Sequence, residues 1–164
     1  MNRVATTLTC LLIALAVPSI VAADDQIGGH FGAVLPLVSH AAGSTTTIAD
    51  QFEIGFPTGI TVKTATPWAF DLELVPVITR ARSVSLTVHP GIIHKLPDSL
   101  AAGVRMAFDV RGSAWGFTPL LNRAIRVGAM TYFVEGVVPI RFKQDGRGVN
   151  QTSVGVGVHF GVGF

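Results

Sequence analysis

The chain has 164 residues, a formal net charge of +2 at pH 7, 13% charged residues and a mean hydropathy of +0.53. Soluble domains average about 25% charged residues, so this composition disfavours an ordinary soluble domain. The near balance of acidic and basic residues also excludes the basic stripe that nucleic-acid binding requires.

The N-terminal residues have the pattern of a secretory signal peptide. Arg3 supplies a short basic region, Leu11–Val17 an apolar stretch, and the sequence VAA a small-residue cleavage site. We predict that residues 1–23 are removed after Ala23 and that residues 24–164 form one domain. The only cysteine, Cys10, lies in the removed segment, so the exported domain has no disulfide and no thiol chemistry.

The exported domain contains eight segments that alternate apolar and polar residues with the period of two typical of β-strands: residues 27–39, 52–63, 68–78, 84–93, 102–110, 115–122, 130–143 and 153–164. Each approaches or exceeds the about 9–11 residues that a tilted strand needs to cross a bilayer. After the signal, no stretch approaches the about 18 consecutive apolar residues of a spanning helix. We therefore predict an all-β fold, a single eight-stranded antiparallel up-and-down transmembrane β-barrel.

The two faces of the predicted strands differ in a way that indicates a lipid-facing exterior. The apolar face carries no Asp, Glu, Lys or Arg in any segment and holds twelve of the thirteen aromatic residues, Phe133 being the exception. A soluble periplasmic lipocalin-like barrel that binds an apolar ligand is the alternative, but its water-facing side would be denser in Lys and Glu. Aromatic residues near the segment ends predict a girdle at each membrane interface, formed by Phe31, Trp68, Tyr132 and Phe164 at one level and by Phe52, Phe108, Trp115 and Phe142 at the other.

The polar face is predicted to fill the inside of the barrel. An eight-stranded barrel has an interior just wide enough for its own side chains, and charges placed there must be paired. We expect Arg105 to bind Asp71, Glu73 or Glu135 at the centre of a polar plug that leaves no open pore. The predicted interior network comprises Glu53, Lys63, Asp71, Glu73, Arg105, Asp109, Glu135, Arg141 and His159.

Prolines interrupt the alternating segments. Proline lacks the N–H group of a ladder hydrogen bond and is disfavoured in a central strand. We expect these positions to coincide with β-bulges or with strands shorter than the alternation indicates. The prolines concerned are Pro36, Pro57, Pro76, Pro90, Pro119 and Pro139.

The exported length, the eight segments and the terminal sequence VHFGVGF resemble the small eight-stranded outer-membrane barrels of the type of outer membrane proteins A and X. The resemblance covers residues 24–164 and is architectural, without a catalytic signature. In those families a final aromatic residue preceded by alternating apolar residues is the sorting signal for the barrel-assembly machinery, which implies this role for Phe160, Val162 and Phe164. The resemblance further implies a monomer in the cell outer membrane, in contact with outer-membrane lipid and lipopolysaccharide.

Three functions are open from the sequence. The first is a non-catalytic structural or surface-interaction role, with the tracts AAGSTTTIAD and QDGRGVNQT as the exposed surface. The second is a narrow channel, or transport-associated barrel, lined by small inward residues. The third is a lipid A-modifying enzyme, because some small outer-membrane barrels use serine and histidine near the rim; His30, His159 and Asp71 are the candidate catalytic residues. No HxSN-like or GxSxG sequence accompanies these histidines, so we predict no catalysis, and we expect no cofactor. The histidines also lack the spacing of metal ligands, so we predict no metal.

Overall fold

The computed structural model of the chain describes residues 26–144 and 148–164. The predicted signal peptide, residues 1–23, and Cys10 lie outside the described residues. Regular structure in the described residues is entirely β-strand, which confirms the all-β fold class. None of these residues belongs to a helix long and apolar enough to cross a membrane.

The described residues form eleven strands, all paired antiparallel in one sheet. In chain order they are β1 (Gln26–Ala41), β2 (Ser44–Thr47), β3 (Glu53–Gly55), β4 (Thr58–Lys63), β5 (Trp68–Thr79), β6 (Val84–Lys95), β7 (Leu100–Asp109), β8 (Trp115–Val127), β9 (Met130–Val137), β10 (Ile140–Gln144) and β11 (Asn150–Gly163). Pairing proceeds from β1 through β3 and β4 to β5, β6, β7, β8, then β9 and β10, then β11, and β11 pairs back with β1. The sheet therefore closes into a ring.

Two positions in the ring are each filled by a pair of short strands. β3 and β4 both lie between β1 and β5, in the same register on either side of their break. β9 and β10 both lie between β8 and β11 in the same way. β2 pairs only with the end of β1 and adds no position. The ring thus has eight strand positions, which correspond to the eight alternating segments.

β8 is longer than the alternation predicts. The sixth segment is predicted to end at Asn122, whereas the strand continues to Val127 and pairs with β9 as far as Met130. The two arginines of this stretch made it resemble a turn, but the backbone ladder is uninterrupted there. Arg123 consequently lies on the exposed face of a strand and adds one charge to that face.

Three prolines lie where the sheet is irregular. The pairing of β1 with β11 shifts by one residue between Pro36 and Val38, which is a β-bulge. Pro57 and Pro139 lie in the breaks between β3 and β4 and between β9 and β10. Both expected explanations, bulges and shortened strands, are therefore found.

Two of the remaining prolines lie opposite the strand breaks, and the third lies at a gap in its own ladder. The carbonyl groups of Pro76 and Pro119 accept hydrogen bonds from the N–H groups of Phe56 and Val138, at 2.9 and 3.0 Å, beside the two breaks. Pro90 lies where the ladder between β6 and β7 is interrupted. The missing N–H groups are thus gathered at places where the ladder already fails, so few backbone groups lose a partner.

Burial alternates along the strands and places the polar residues inside the ring. In β5 Asp71 and Glu73 are fully buried, whereas Phe70 and Leu74 are 48% and 47% exposed. β7, β9 and β11 repeat this alternation. Among the described residues the buried apolar set is small, comprising Val75, Ala107, Leu120, Phe133 and Val137.

Glycine on the polar face permits the close approach of β1 and β11 at the seam that closes the ring. Gly32 and Gly161 are directly paired across this seam. A Cβ at position 161 would overlap the carbonyl oxygen of Phe31 and lie 2.6 Å from the Cα of Gly32. Any larger residue must therefore push the two strands apart.

We expect Gly161→Ala to lower the free energy of unfolding by about 1–3 kcal/mol, the usual effect of overpacking a filled site. The measurement is a urea titration in detergent micelles, followed by tryptophan fluorescence. Gly136→Ala is the matched control, because a Cβ there has no neighbour within 4 Å. Equal stabilities of the two variants would show that the β1–β11 seam can accommodate a Cβ at position 161, which would contradict the prediction.

Candidate functional site

Arg105 on β7 is the centre of a buried ionic cluster inside the ring. Its Nε donates to Oδ2 of Asp71 at 2.7 Å, and its Nη1 donates to Oε1 of Glu135 at 2.6 Å. A carboxylate oxygen of Glu73 lies 3.8 Å from Nη2. All four side chains are at most 4% exposed. One guanidinium therefore holds carboxylates from β5 and β9, on opposite sides of its own strand.

Three histidines complete this cluster. Nε2 of His30 and Oε1 of Glu73 are 2.9 Å apart, and Nδ1 of His89 is 3.4 Å from the other oxygen of that carboxylate. Nδ1 of His159 lies 3.1 Å from Oε1 of Glu135. The cluster thus draws on six strands, β1, β5, β6, β7, β9 and β11, and links them through side chains across the interior.

Hydroxyl and amide groups occupy further carboxylate oxygens. Thr61 donates from Oγ1 to Oδ1 of Asp71 at 2.7 Å, and Asn122 donates from Nδ2 to Oε2 of Glu135 at 3.3 Å. Neither residue was among the predicted network members, although both lie on the polar face of their segments. The parity that placed the charged residues inside would also have found these two.

Phe133, the aromatic exception of the sequence pattern, packs against the histidines. Its ring is perpendicular to those of His30 and His159, with centroids 5.9 and 4.8 Å away. It is one of the few buried apolar residues of the described chain. An aromatic residue on the polar face therefore serves to fill the space beside the imidazoles.

Glycines make room for the large side chains of the cluster. A Cβ at Gly59 would collide with the imidazole of His30, and a Cβ at Gly91 would lie 2.6 Å from Cγ of Arg105. Since an eight-stranded ring has little internal volume, residues without side chains must face those with long ones. This accounts for a polar face that alternates between glycine and charged residues.

The cluster holds more acid than fixed base. Asp71, Glu73 and Glu135 contribute three negative charges against the single positive charge of Arg105, and each histidine adds one positive charge when protonated. Buried charges are tolerated only with partners and hydrogen bonds, which this arrangement provides for every carboxylate. The geometry is that of a cross-linked plug.

The hydrogen-bond network of the cluster ends at two imidazole nitrogens. Nε2 of His89 and Nε2 of His159 are buried and have no hydrogen-bond partner among the residues that the structure describes. On each ring the other nitrogen, Nδ1, faces a carboxylate. Each imidazole is therefore oriented through its Nδ1 atom only.

Four predicted network members lie outside the cluster. Asp109 caps a turn at the end of β7 by accepting from the N–H groups of Arg111 and Gly112 at 2.9 and 3.0 Å. Arg141 donates from Nη2 to Oγ1 of Thr118 at 3.0 Å. The other two lie at the rims, Glu53 accepting from Gln51 and Lys63 ending β4. Each is on the polar face, but none reaches Arg105.

The three catalytic candidates all belong to the cluster. Nδ1 of His30 is 3.9 Å from Oδ1 of Asp71, and the His30 and His159 rings are 6.0 Å apart. Within residues 26–144 and 148–164, no serine or threonine hydroxyl hydrogen-bonds to either histidine. The arrangement of an activated nucleophile, in which a hydroxyl bonds directly to a base, is not formed by these residues. In the same described ranges, no group of three His, Cys, Asp or Glu residues could hold a metal ion.

The predicted girdle and sorting residues lie at the ring's surface. Trp115 stacks on Phe142 with centroids 4.8 Å apart, and Trp68 packs on His94 at 4.5 Å. The backbone of Phe164 exchanges two hydrogen bonds with Gly29. Most of these side chains are exposed, including Phe31, Trp68, Trp115, Tyr132, Phe160 and Phe164, whereas Phe142 and Val162 are half-buried.

We expect Arg105→Met to lower the free energy of unfolding by about 3–5 kcal/mol, because it leaves buried carboxylates without their counter-charge. Urea titration in detergent micelles measures this, with Arg126→Met, at the exposed end of β8, as the control. Adding Glu135→Gln to Arg105→Met should recover part of the loss. If Arg105→Met is as stable as the control, the ion pairs do not hold the ring together.

Comparison with protein-family models gives no match, and comparison with the sequences of curated proteins gives none either. The function must therefore be inferred from the geometry of the chain itself. Two features carry that inference, the ionic cluster inside the ring and the apolar face that surrounds it.

Proposed function

We propose that this protein is a bacterial outer-membrane β-barrel with a non-catalytic structural or surface-interaction role and a plugged polar interior. The observation that carries the proposal is the inverted polarity of the ring. Its charged residues are buried in the cluster around Arg105, whereas large apolar residues are exposed on every strand position. Water does not favour such a surface, but the hydrocarbon of a bilayer does.

The distribution of residues around the outside supports a membrane environment. Soluble monomers rarely expose contiguous apolar patches larger than a few hundred square ångströms. Here the positions of the described strands that alternate with the buried ones and face outward carry no Asp or Glu, and Arg123 is the only Lys or Arg among them; Arg126 is exposed at the strand end but belongs to the opposite face. Aromatic side chains at both ends of the strands, such as Trp68 and Trp115, suit the two interfaces of a bilayer.

The interior favours a plug over a channel. Arg105, Glu73 and Glu135 extend across the inside of the ring and are bonded to partners on several strands. Moving them aside would break charge-assisted hydrogen bonds, which are the strongest kind in a buried site. A barrel of this size has no spare width around such a cluster.

The surface that would meet the outside is the rim where β1 ends and β11 begins. There β1 and β2 form a hairpin, followed by a turn in which Asp50 accepts hydrogen bonds from the N–H and the Oγ1 of Thr47. These two bonds stabilise the carboxylate and hold the pKa of Asp50 below its usual value. We infer that this hairpin and turn, residues 38–50, form the surface available for recognition, since their hydrogen bonds give this rim a defined shape.

A depth series of arginine substitutions tests the membrane environment. Val156 is exposed in the middle of β11, and Val127 is exposed at the end of β8. We expect Val156→Arg to lower the free energy of unfolding in lipid vesicles by about 2–4 kcal/mol and Val127→Arg by about 0–1 kcal/mol. In a water-soluble ring both substitutions would be tolerated equally, and that result would contradict the proposal.

A conductance measurement separates the plugged barrel from the narrow channel. Wild-type protein reconstituted in planar bilayers should give no steady single-channel steps, because the cluster around Arg105 closes the interior. Trypsin protection of the reconstituted protein checks insertion in the same preparation. Recovery of the protein with the membrane fraction of cells checks its location separately. Reproducible unitary steps from inserted wild-type protein would establish the channel instead.

A further inference from the structure

No crowding by neighbouring atoms explains the glycine at position 136 in β9. It lies on the exposed face, and a Cβ added there would have no neighbour within 4 Å. Every other glycine within a described strand would bring a Cβ within 4 Å of another atom. Glycine weakens a strand because it loses more backbone entropy and packs no side chain. Its presence at an uncrowded position therefore indicates that the empty space itself is used.

The missing side chain leaves a groove on the outside of the ring. Leu121 faces Gly136 across the β8–β9 pair, and the next pair along the same strands is Arg123 with Val134. The groove has a volume of about 650 Å³, within the usual range of small-molecule sites. Its lining is apolar apart from a few polar groups and comprises Leu100, Leu121, Asn122, Arg123, Ile125, Val134 and Gly136.

Arg123 gives this groove a charge that nothing in the described ring neutralises. Its side chain is exposed and, within residues 26–144 and 148–164, takes part in no hydrogen bond or ion pair. Its strand neighbours are Leu100 and Val134, both apolar. A guanidinium beside apolar residues attracts an anion, and its planar array of donors suits the oxygens of a phosphate.

We propose that this groove binds one phospholipid, with an acyl chain lying over Gly136 and the phosphate bound by Arg123. The inference rests on the proposed membrane location. Arg123 lies toward the rim where β1 begins at Gln26 and β11 ends, so its long side chain can reach a headgroup while its stem stays among apolar residues. Basic groups beside apolar grooves are the usual recognition elements for lipid phosphates.

A second copy of the chain fits this surface less well. A two-fold contact would place the same face against itself. The exposed face of the described strands offers no carboxylate, so neither copy could supply a partner for Arg123. The charge complementarity therefore favours a lipid phosphate as the occupant.

Native mass spectrometry of the delipidated protein, titrated with dioleoyl phosphatidylglycerol, tests the site. We expect wild-type protein to retain one lipid, and Gly136→Leu and Arg123→Gln each to raise the dissociation constant about tenfold or more. Gly136→Leu fills the groove without a backbone clash. Arg126→Gln is the matched control, an exposed arginine of the same strand that does not line the groove. Dioleoylglycerol, which lacks the phosphate, should bind at least tenfold more weakly than phosphatidylglycerol.

The outcomes separate this inference from the proposed function. If Gly136→Leu and Arg123→Gln bind the lipid as tightly as wild-type protein, and trypsin protection shows that these variants insert into vesicles, the lipid site is overturned and the membrane proposal stands. A wild-type dimer that Gly136→Leu dissociates makes the groove a contact between copies and overturns the lipid as its occupant. Failure of wild-type protein to insert into vesicles overturns both.

Discussion

The ion pairs of Arg105 are the interaction on which the rest of this structure depends. In a closed ring of eight strands each side chain points either inward or outward, and here nearly all charged residues of the described strands point inward, where buried charges need partners. Arg105, Asp71 and Glu135 therefore satisfy one another across the interior. The outward-facing positions of the described strands then carry no Asp or Glu and, of Lys and Arg, only Arg123, which is the property that suits this face to hydrocarbon.

Backbone features follow from the same constraint. A narrow interior that contains long charged side chains has room for them only if neighbouring residues are small. Gly59 and Gly91 provide this space beside His30 and Arg105. The ring also closes where two glycines meet at the β1–β11 seam. The prolines are accommodated at breaks and at one bulge, so a closed sheet without edges can still contain residues that lack an N–H group. Gly136 stands apart, since its empty space lies outside the ring.

Most of the fold and part of the cluster could be predicted from the sequence, because a period of two ties every side chain to one face. Parity alone places Arg105 with Asp71, Glu73 and Glu135 on the inner face. The alternation does not give the level of a residue along the barrel axis, which is set by the register between strands. For this reason the predicted network includes Asp109 and other inward charges that do not reach Arg105. The continuation of β8 past Asn122 was also missed, because arginines in a strand end look like a polar turn.

The most direct measurement of the solvent around the ring is the accessibility of a nitroxide attached to Val156→Cys, in vesicles that contain the protein. The only native cysteine, Cys10, lies in the predicted signal peptide, so the predicted mature chain, residues 24–164, carries a single label. Val156 is exposed in mid-strand. The label is predicted to collide readily with apolar oxygen and rarely with a water-soluble nickel complex. Ready collision with the nickel complex would mean that water solvates this face, and the membrane assignment would be wrong.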